Sequence, residues 1–155
     1  MVKLKRTTEY GLIALQHIAR KHKSQIQNSS RLQDVISARE IADTYGLPFE
    51  ITAKTLQRLR DSGFIQSAQG AHGGYALNKT LDQVTLAEFL EAMEGPQALV
   101  LCEEGSGNAV SEGCGCAYSG KCEVKGSMAT LNKRVSNFLL GIKLSELCAT
   151  DGGPS

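Results

Sequence analysis

The feature that most constrains the fold of this chain is a pair of short helical segments on either side of a Gly-Leu-Pro turn at residues 46 to 48. The first segment begins with the capping box Ser37-Ala-Arg-Glu40, in which the serine hydroxyl caps the glutamate amide and the glutamate carboxylate returns to the serine amide. We therefore predict a helix over residues 38 to 45. Gly46 can adopt the left-handed conformation that ends such a helix.

A second helix follows the turn. Pro48 suits its first turn, because the amide proton that proline lacks would be unpaired there in any case. The helix is predicted to cover residues 49 to 62 and to stop at Gly63. Two helices separated by about three residues form a helix-turn-helix, the motif that places its second helix in the major groove of DNA.

The segment after Gly63 has the pattern of a β-hairpin. Phe64-Ile-Gln-Ser-Ala68 and Tyr75-Ala-Leu77 are two short apolar strands, and a tip with the sequence QGAHGG separates them. A hairpin directly after a helix-turn-helix is a wing. The predicted fold class is therefore mainly α with a small β-hairpin wing.

Two further helices flank this winged unit. Apolar residues at spacings of three and four predict an amphipathic helix from Thr7 to about Lys23, and the polar stretch over residues 24 to 34 is predicted to be a loop. A second capping box, Thr85-x-x-Glu88, begins a helix that should end near Gly95.

The C-terminal part of the chain carries a heptad pattern. Six apolar residues are spaced 4, 3, 4, 3 and 4: Val124, Met128, Leu131, Val135, Phe138 and Ile142. This spacing is typical of a helix that packs against a partner helix, and the natural partner is the same helix in a second subunit, so we expect a homodimer. Packing on the helix's own domain is the alternative, because the run is shorter than roughly three to four heptads.

These patterns divide the chain into four predicted parts. The divisions are a winged-helix DNA-binding domain over residues 1 to 95, a cysteine-containing cluster-binding loop over 96 to 124, a dimerisation helix and end of domain over 125 to 148, and a disordered tail over 149 to 155.

The charge is distributed unevenly along the chain. Residues 1 to 80 contain 12 Lys and Arg against 6 Asp and Glu, and residues 81 to 155 contain 5 against 10, although the net charge is only +1. A basic half can neutralise phosphates and an acidic half cannot. If nucleic acid is the partner, it should therefore meet the N-terminal half. Charges scattered over solvated faces are the alternative.

The second helix of the helix-turn-helix offers an outward face for DNA. Its predicted inward residues are Phe49, Thr52, Leu56 and Leu59, and its predicted outward residues are Glu50, Lys54, Gln57, Arg58 and Asp61. Such a face can contact phosphates and base edges in the major groove, and a glycine-rich wing tip can approach the minor groove. The predicted DNA contacts are Lys54, Arg58, Gln57, Glu50, Thr52, Arg60 and Lys5, with Gln69 and His72 on the wing.

All five cysteines lie in the acidic half, and four of them fall within 21 residues: Cys102, Cys114, Cys116 and Cys122, followed by Cys148 near the tail. The odd count and an expected cytosolic setting disfavour disulfides. Soft thiolates on a glycine-rich loop suit an iron-sulfur cluster, either 2Fe-2S or 4Fe-4S. Zinc and metal-free redox thiols are the alternatives, and zinc is disfavoured because no Cys-x-x-Cys pair is present.

Several motifs together give the chain a resemblance to the IscR/NsrR-like family of bacterial winged-helix regulators, which sense iron-sulfur status, nitric oxide or redox state. The motifs are RLRDSGFI, the wing GAHGGY, EFLEAMEG, the pair Cys116-x5-Cys122 and the closing FLLGIKLSEL, and the resemblance runs from Val2 to Leu147. It implies a winged helix with a long dimerisation helix that crosses onto the partner subunit. It also places the family's DNA-contacting positions at Glu50, Ala53 and Lys54.

The same resemblance implies a set of cluster ligands. The family's three cysteines correspond to Cys102, Cys116 and Cys122, which leaves Cys114 as an extra or alternative ligand. The chain departs from the family in two ways, because thirteen residues separate Cys102 from Cys116, and Lys125 replaces a histidine ligand of some members. Glu9 occupies the position of an acidic ligand that some members supply from the other subunit. Stabilising the helix dipole is its alternative role.

The sequence also narrows the class of protein. No apolar run approaches the roughly 20 residues that a membrane span needs, and no secretory signal begins the chain, so we expect a cytoplasmic protein. The sequence contains neither a nucleophile beside a base nor a phosphate loop, so nothing in it indicates an enzyme. The leading prediction is a transcriptional regulator of double-stranded DNA, possessing a cysteine-ligated cluster. Regulation through metal-free thiols and a small redox enzyme or electron carrier are the alternatives.

Overall fold

The computed structural model describes residues 4–27, 35–68, 73–96 and 121–149. The elements in chain order are α1 Arg6–Gln27, α2 Ala38–Tyr45, α3 Phe49–Asp61, β1 Ile65–Ala68, β2 Gly74–Leu77, a 3₁₀ turn Leu81–Gln83, α4 Leu86–Glu94, α5 Lys125–Gly141 and α6 Leu144–Ala149. The predicted class, mainly α with a two-stranded wing, is confirmed. None of the helices in these ranges is long and apolar enough to cross a membrane.

The helix-turn-helix begins and ends where its caps predict. Gly46 follows α2 with a φ of 63°, and Gly63 follows α3 with a φ of 77°. Ser37 Oγ accepts a hydrogen bond from the Glu40 amide at 3.1 Å. The reciprocal half of this capping box is not formed, because the Glu40 carboxylate turns to α1 instead. There it lies 3.4 Å from His17 Nε2 and pairs with the ammonium group of Lys21.

The contact between α1 and α2 should make stability depend on pH. The Lys21 hydrogen bond holds the pKa of the Glu40 carboxyl below its ordinary value of 4.5, burial opposes this effect, and the His17 hydrogen bond adds to it. A lowered folded-state pKa gives stability that is present above the unfolded value and is lost as the pH falls through the folded value. We expect Glu40→Gln to melt below the wild type at about pH 7, and the gap to narrow as the pH falls below the ordinary carboxyl value of 4.5.

Thermal unfolding of both proteins across that range measures the effect. Lys21→Gln removes the same ion pair from the other side, so its melting temperature should follow that of Glu40→Gln. A gap between wild type and Glu40→Gln that stays constant with pH would show that the ion pair does not contribute.

The wing strands pair antiparallel, with Ile65 opposite Leu77 and Ala68 opposite Gly74. A third segment adds to the wing, because Ile36 exchanges two backbone hydrogen bonds with Tyr75, both of 2.9 Å. This pairing brings backbone so close to Gly74 that a Cβ there would lie 2.8 Å from the Ile36 carbonyl oxygen. Glycine is therefore required where the wing meets the segment that leads into α2.

Replacing Gly74 by alanine should destabilise the fold by about 1 to 3 kcal/mol, because backbone atoms must shift to admit the methyl group. Gly126 in α5 is a matched control, since a Cβ there meets nothing within 4 Å. Gly126→Ala should be neutral or stabilising by about 0.5 to 1 kcal/mol, the ordinary gain in a helix. Urea unfolding of both variants tests the prediction, and equal stabilities would contradict the close approach at Gly74.

One hydrophobic core joins the elements. Its fully buried side chains include Leu15 of α1, Ile41 of α2, Leu56 of α3 and Phe89 of α4. The second predicted capping box is confirmed at α4, where the Thr85 amide donates to Glu88 Oε2 at 2.8 Å and the Glu88 amide donates to Thr85 Oγ1 at 3.2 Å.

Two boundaries differ from the sequence predictions. α1 continues to Gln27, so residues 24 to 27 are helical and not part of the predicted loop. The predicted C-terminal helix divides at Ile142, whose extended backbone separates α5 from α6. Ile142 accepts a hydrogen bond from the Leu86 amide at 2.8 Å, and the Leu144 amide donates to Val84 at 3.0 Å. The chain therefore returns to the core, where Leu144 is fully buried.

Candidate DNA-reading surface and cysteine region

The N-terminal half of α3 presents a polar face to solvent. Glu50 and Lys54 are exposed one turn apart, and Gln57 is exposed in the following turn. The opposite face of α3 is held in the core by Leu56 and Leu59, each 0% exposed. Packing therefore fixes the orientation of the helix and leaves these three polar side chains available to a ligand such as DNA.

Two predicted assignments on α3 need correction. Thr52 cannot contact DNA in this structure, because its side chain is buried and its hydroxyl donates to the Pro48 carbonyl oxygen at 3.0 Å. Phe49 is not inward, since it is 41% exposed and lies under the guanidinium group of Arg39, whose Cζ is 4.4 Å from the ring centroid. Arg39 thereby places a cation beside the start of α3. Its contact with Phe49 joins residues ten positions apart, and no pattern in the sequence predicted it.

The predicted contacts at the far end of α3 have partners within the chain. Arg58 Nε donates to the Ala92 carbonyl oxygen at 2.8 Å, which ties α3 to α4. Arg60 pairs with Asp61 at 2.8 Å, and this carboxylate raises the pKa of the guanidinium group. Both arginines are exposed, so either can also meet a phosphate. Lys54 carries its exposed charge nearer the start of the helix.

Lys5 lies directly before the start of α1. Its amide donates to Glu94 Oε1 at 2.8 Å and its ammonium group lies 3.4 Å from Glu94 Oε2. Thr8 donates to the same carboxylate, and the Thr8 hydrogen bond is the main reason that the pKa of Glu94 is lowered. The Lys5 side chain stays largely exposed, so the predicted DNA contact there is compatible with this ion pair.

Part of the wing and most of the cysteines lie outside the described residues. Gln69 and His72 of the predicted wing tip belong to this part, as do Cys102, Cys114 and Cys116. Within residues 4–27, 35–68, 73–96 and 121–149, no three His, Cys, Asp or Glu side chains are grouped closely enough to hold a metal ion.

Two predicted cluster ligands can be placed. The Cys122 thiol is half-buried, forms no disulfide and lies three residues before α5. Glu9 is exposed in the first turn of α1, where its carboxylate lies 3.3 Å from Arg6 Nη1. A thiol at the start of the predicted dimerisation helix and a carboxylate open to solvent are compatible with ligation by a soft-metal cluster between subunits.

The fifth cysteine has a different environment. Cys148 in α6 is half-buried, and burial raises the pKa of its thiol against the opposing charges of Arg20 and Lys23. A thiol with a raised pKa carries little thiolate near neutral pH, so Cys148 is a poor nucleophile and a poor metal ligand.

The predicted heptad seam is partly open to solvent. Val124 is 56% exposed, Leu131 45% and Phe138 68%. Met128, Val135 and Ile142 are half-buried against their own chain. An apolar row this exposed on one helix is typical of a surface that another chain covers.

The fold and the exposed face of α3 define a class of protein. A helix-turn-helix followed by a two-stranded wing, with a polar and partly basic second helix, is a winged-helix DNA-binding domain. The chain belongs to the Rrf2 family, described as iron-dependent transcriptional regulators, whose family model matches residues 4–150. This membership agrees with the prediction of a regulator and not an enzyme.

Curated relatives include regulators with two different names. The chain is 29% identical over 108 residues to the HTH-type transcriptional regulator IscR of Cronobacter sakazakii, a match that covers 70% of this chain and 62% of the relative. It is 28% identical over 95 residues to the HTH-type transcriptional regulator CymR of Bacillus subtilis, covering 61% of this chain and 62% of the relative. The matched regions thus span about three fifths of these relatives' lengths.

Solved structures share the fold along nearly the whole chain. The structure of CymR, the global cysteine regulator of B. subtilis, superposes with a TM-score of 0.64 at 21% identity and covers 98% of this chain and 100% of that one. IscR of T. potens superposes with a TM-score of 0.63 at 17% identity and covers 99% of this chain and 94% of that one. These likenesses confirm the winged-helix architecture.

Proposed function

We propose that this protein is a homodimeric transcriptional regulator that reads a double-stranded DNA operator and is controlled by an iron-sulfur cluster. The observation that carries the proposal is the match of residues 4–150 to a family described as iron-dependent transcriptional regulators. The exposed polar face of α3 and the exposed apolar row on α5 support DNA reading and dimerisation, respectively. The family description supports an iron-containing signal.

In this proposal Cys102, Cys116 and Cys122 hold the cluster, and Glu9 of the other subunit supplies the fourth ligand. Cys114 is the alternative to Cys116. When bound, the cluster would supply redox chemistry, and the resemblance to the IscR/NsrR-like family implies sensitivity to nitric oxide. The protein's own residues link the state of the cluster to DNA affinity, because Glu9 lies on the first helix of the DNA-binding domain while Cys122 lies three residues before α5.

Regulation through metal-free thiols is the second candidate. It is favoured by a specific observation, the likeness to CymR, which matches the likeness to IscR in fold and is nearly as close in sequence. One of the similar structures is the oxidised form of CymR from Staphylococcus aureus, with a TM-score of 0.61.

The absorption spectrum of anaerobically purified protein separates the two candidates. Iron and acid-labile sulfide, measured on the same sample, should be present in proportion to a broad visible absorption band. A colourless protein without iron that still binds an operator would favour the metal-free candidate and contradict the cluster.

Lys54→Ala should weaken operator binding, because Lys54 is the first exposed cation along α3 itself. The expected cost is on the order of 1 to 3 kcal/mol if a base edge is read, or a salt slope flatter by about one unit if a phosphate is contacted. Fluorescence anisotropy at several salt concentrations measures both quantities.

Lys133→Ala is the matched control for Lys54→Ala. Lys133 is also exposed, but it lies on α5, away from the helix-turn-helix. Its replacement should leave affinity and salt slope unchanged. If Lys54→Ala binds the operator with the wild-type affinity and salt slope, Lys54 is not part of the DNA interface.

A further inference from the structure

A cavity of about 230 Å³ lies between α1, the end of β2, the 3₁₀ turn and α6. Its apolar wall is formed by Ala19, Leu77 and Leu81. Cys122, the one cysteine of the predicted cluster-binding loop among the described residues, does not line it. The cavity is larger than the roughly 150 Å³ cavity that binds benzene in an engineered protein. It therefore has room for a ring or a short alkyl body together with a small polar group.

The charged side chains at the rim of the cavity have a net positive charge. Arg20 and Lys23 come from α1, three residues apart and so on one face of the helix, and His22 lies between them in sequence. Asp82 of the 3₁₀ turn is the carboxylate in the lining. Because burial raises the pKa of the Cys148 thiol, that group adds no second negative charge near neutral pH.

The remaining lining is polar and faces the same space. Gln16 and Ser145 offer hydrogen-bonding groups, and Gln16 Nε2 already donates to the Cys148 carbonyl oxygen at 3.3 Å. An apolar wall with a few convergent polar groups and a cationic edge is the usual composition of a site for a small amphipathic ligand.

We propose that this cavity binds a small organic anion, a carboxylate with a ring-sized apolar body. The body packs on Leu77 and Leu81, and the carboxylate faces Arg20 and Lys23. A molecule held there contacts the second strand of the wing and the helix that follows α5. It is thus an effector site separate from Cys122 and Glu9, the two proposed cluster ligands that the structure describes, and it stands whether the proposed cluster is present or not.

Calorimetric titration of the full-length protein with benzoate tests the site, and benzamide serves as the uncharged probe of the same shape. We expect benzoate to bind and benzamide to bind at least about tenfold more weakly, since hydrogen bonds to charged groups are the stronger ones. Equal binding of the two probes would overturn the assignment of an anion. No heat of binding with benzoate up to its solubility limit would overturn the site.

Two variants locate the binding. The double variant Arg20→Gln/Lys23→Gln changes only exposed side chains and should weaken benzoate binding about tenfold or more. The control Lys133→Gln on α5 should not weaken it. Ser145→Phe should fill the cavity and abolish binding, with its circular dichroism spectrum compared with that of the wild type to verify folding. Unchanged benzoate affinity in the double variant would place the ligand elsewhere.

Discussion

Phe138→Glu is expected to convert the proposed dimer to monomers and to lower operator affinity by roughly 100- to 10,000-fold, the range gained when two binding modules are linked. Phe138 is 68% exposed, so the subunit's own core does not depend on its ring. A glutamate there would carry a charge into the apolar contact between two α5 helices, where it would lack a partner. Sedimentation velocity and anisotropy titration measure the two effects.

Asn137→Glu is the matched control for Phe138→Glu. It introduces the same side chain at the adjacent exposed position, which lies on the side of α5 opposite the heptad seam. This variant should remain dimeric and keep wild-type affinity. If Phe138→Glu also remains dimeric with unchanged operator binding, the seam is not the subunit interface. Val135→Glu should also yield monomers, although Val135 is half-buried and its replacement also affects the subunit itself.

Cys122→Ala and Cys116→Ala are each expected to abolish the visible absorption of anaerobically purified protein and to remove its iron. A cluster that loses one thiolate ligand is held less firmly, because water is a poor replacement for the thiolate. Cys148→Ala is the control, because its half-buried thiol lies in the cavity beside α6 and not on the predicted cluster-binding loop. It should retain full absorption. Retention of iron and colour by both Cys116→Ala and Cys122→Ala would contradict their role as ligands.

Local signals were sufficient to predict the helix-turn-helix. Gly46 and Gly63 adopt the positive φ angles that their sequence contexts predicted, and Thr85 with Glu88 forms the predicted capping box. These features depend on residues within four positions of one another. The physical interactions that decide them are therefore contained in a short stretch of sequence.

Contacts between distant segments account for the errors. Glu40 was predicted to cap its own helix, but Lys21 and His17, about 20 residues earlier, offer charged or ring nitrogen partners. Phe49 follows the apolar spacing of α3, yet it lies outside under Arg39. The pairing of Ile36 with Tyr75 and the return of Leu144 to the core also join residues far apart in sequence.

The candidate site was predictable to different degrees. The exposed positions Glu50, Lys54 and Gln57 followed from helical periodicity. The Arg58 hydrogen bond to Ala92 did not, because it depends on how α3 packs against α4. The ligand assignments of Cys102 and Cys116 remain predictions from spacing and resemblance. The cavity beside Cys148 could not be predicted, since three segments far apart in sequence form its walls.

The most direct test of the central claim is an anaerobic titration of one operator with cluster-loaded and cluster-free protein. The operator is first selected from random-sequence DNA with the cluster-loaded and the cluster-free form in parallel. A change of state can alter affinity only by the free-energy difference between the two conformations, and such couplings are typically about 1 to 3 kcal/mol. We predict dissociation constants that differ by about 5- to 150-fold between the two forms. Equal dissociation constants would contradict control of DNA binding by the cluster.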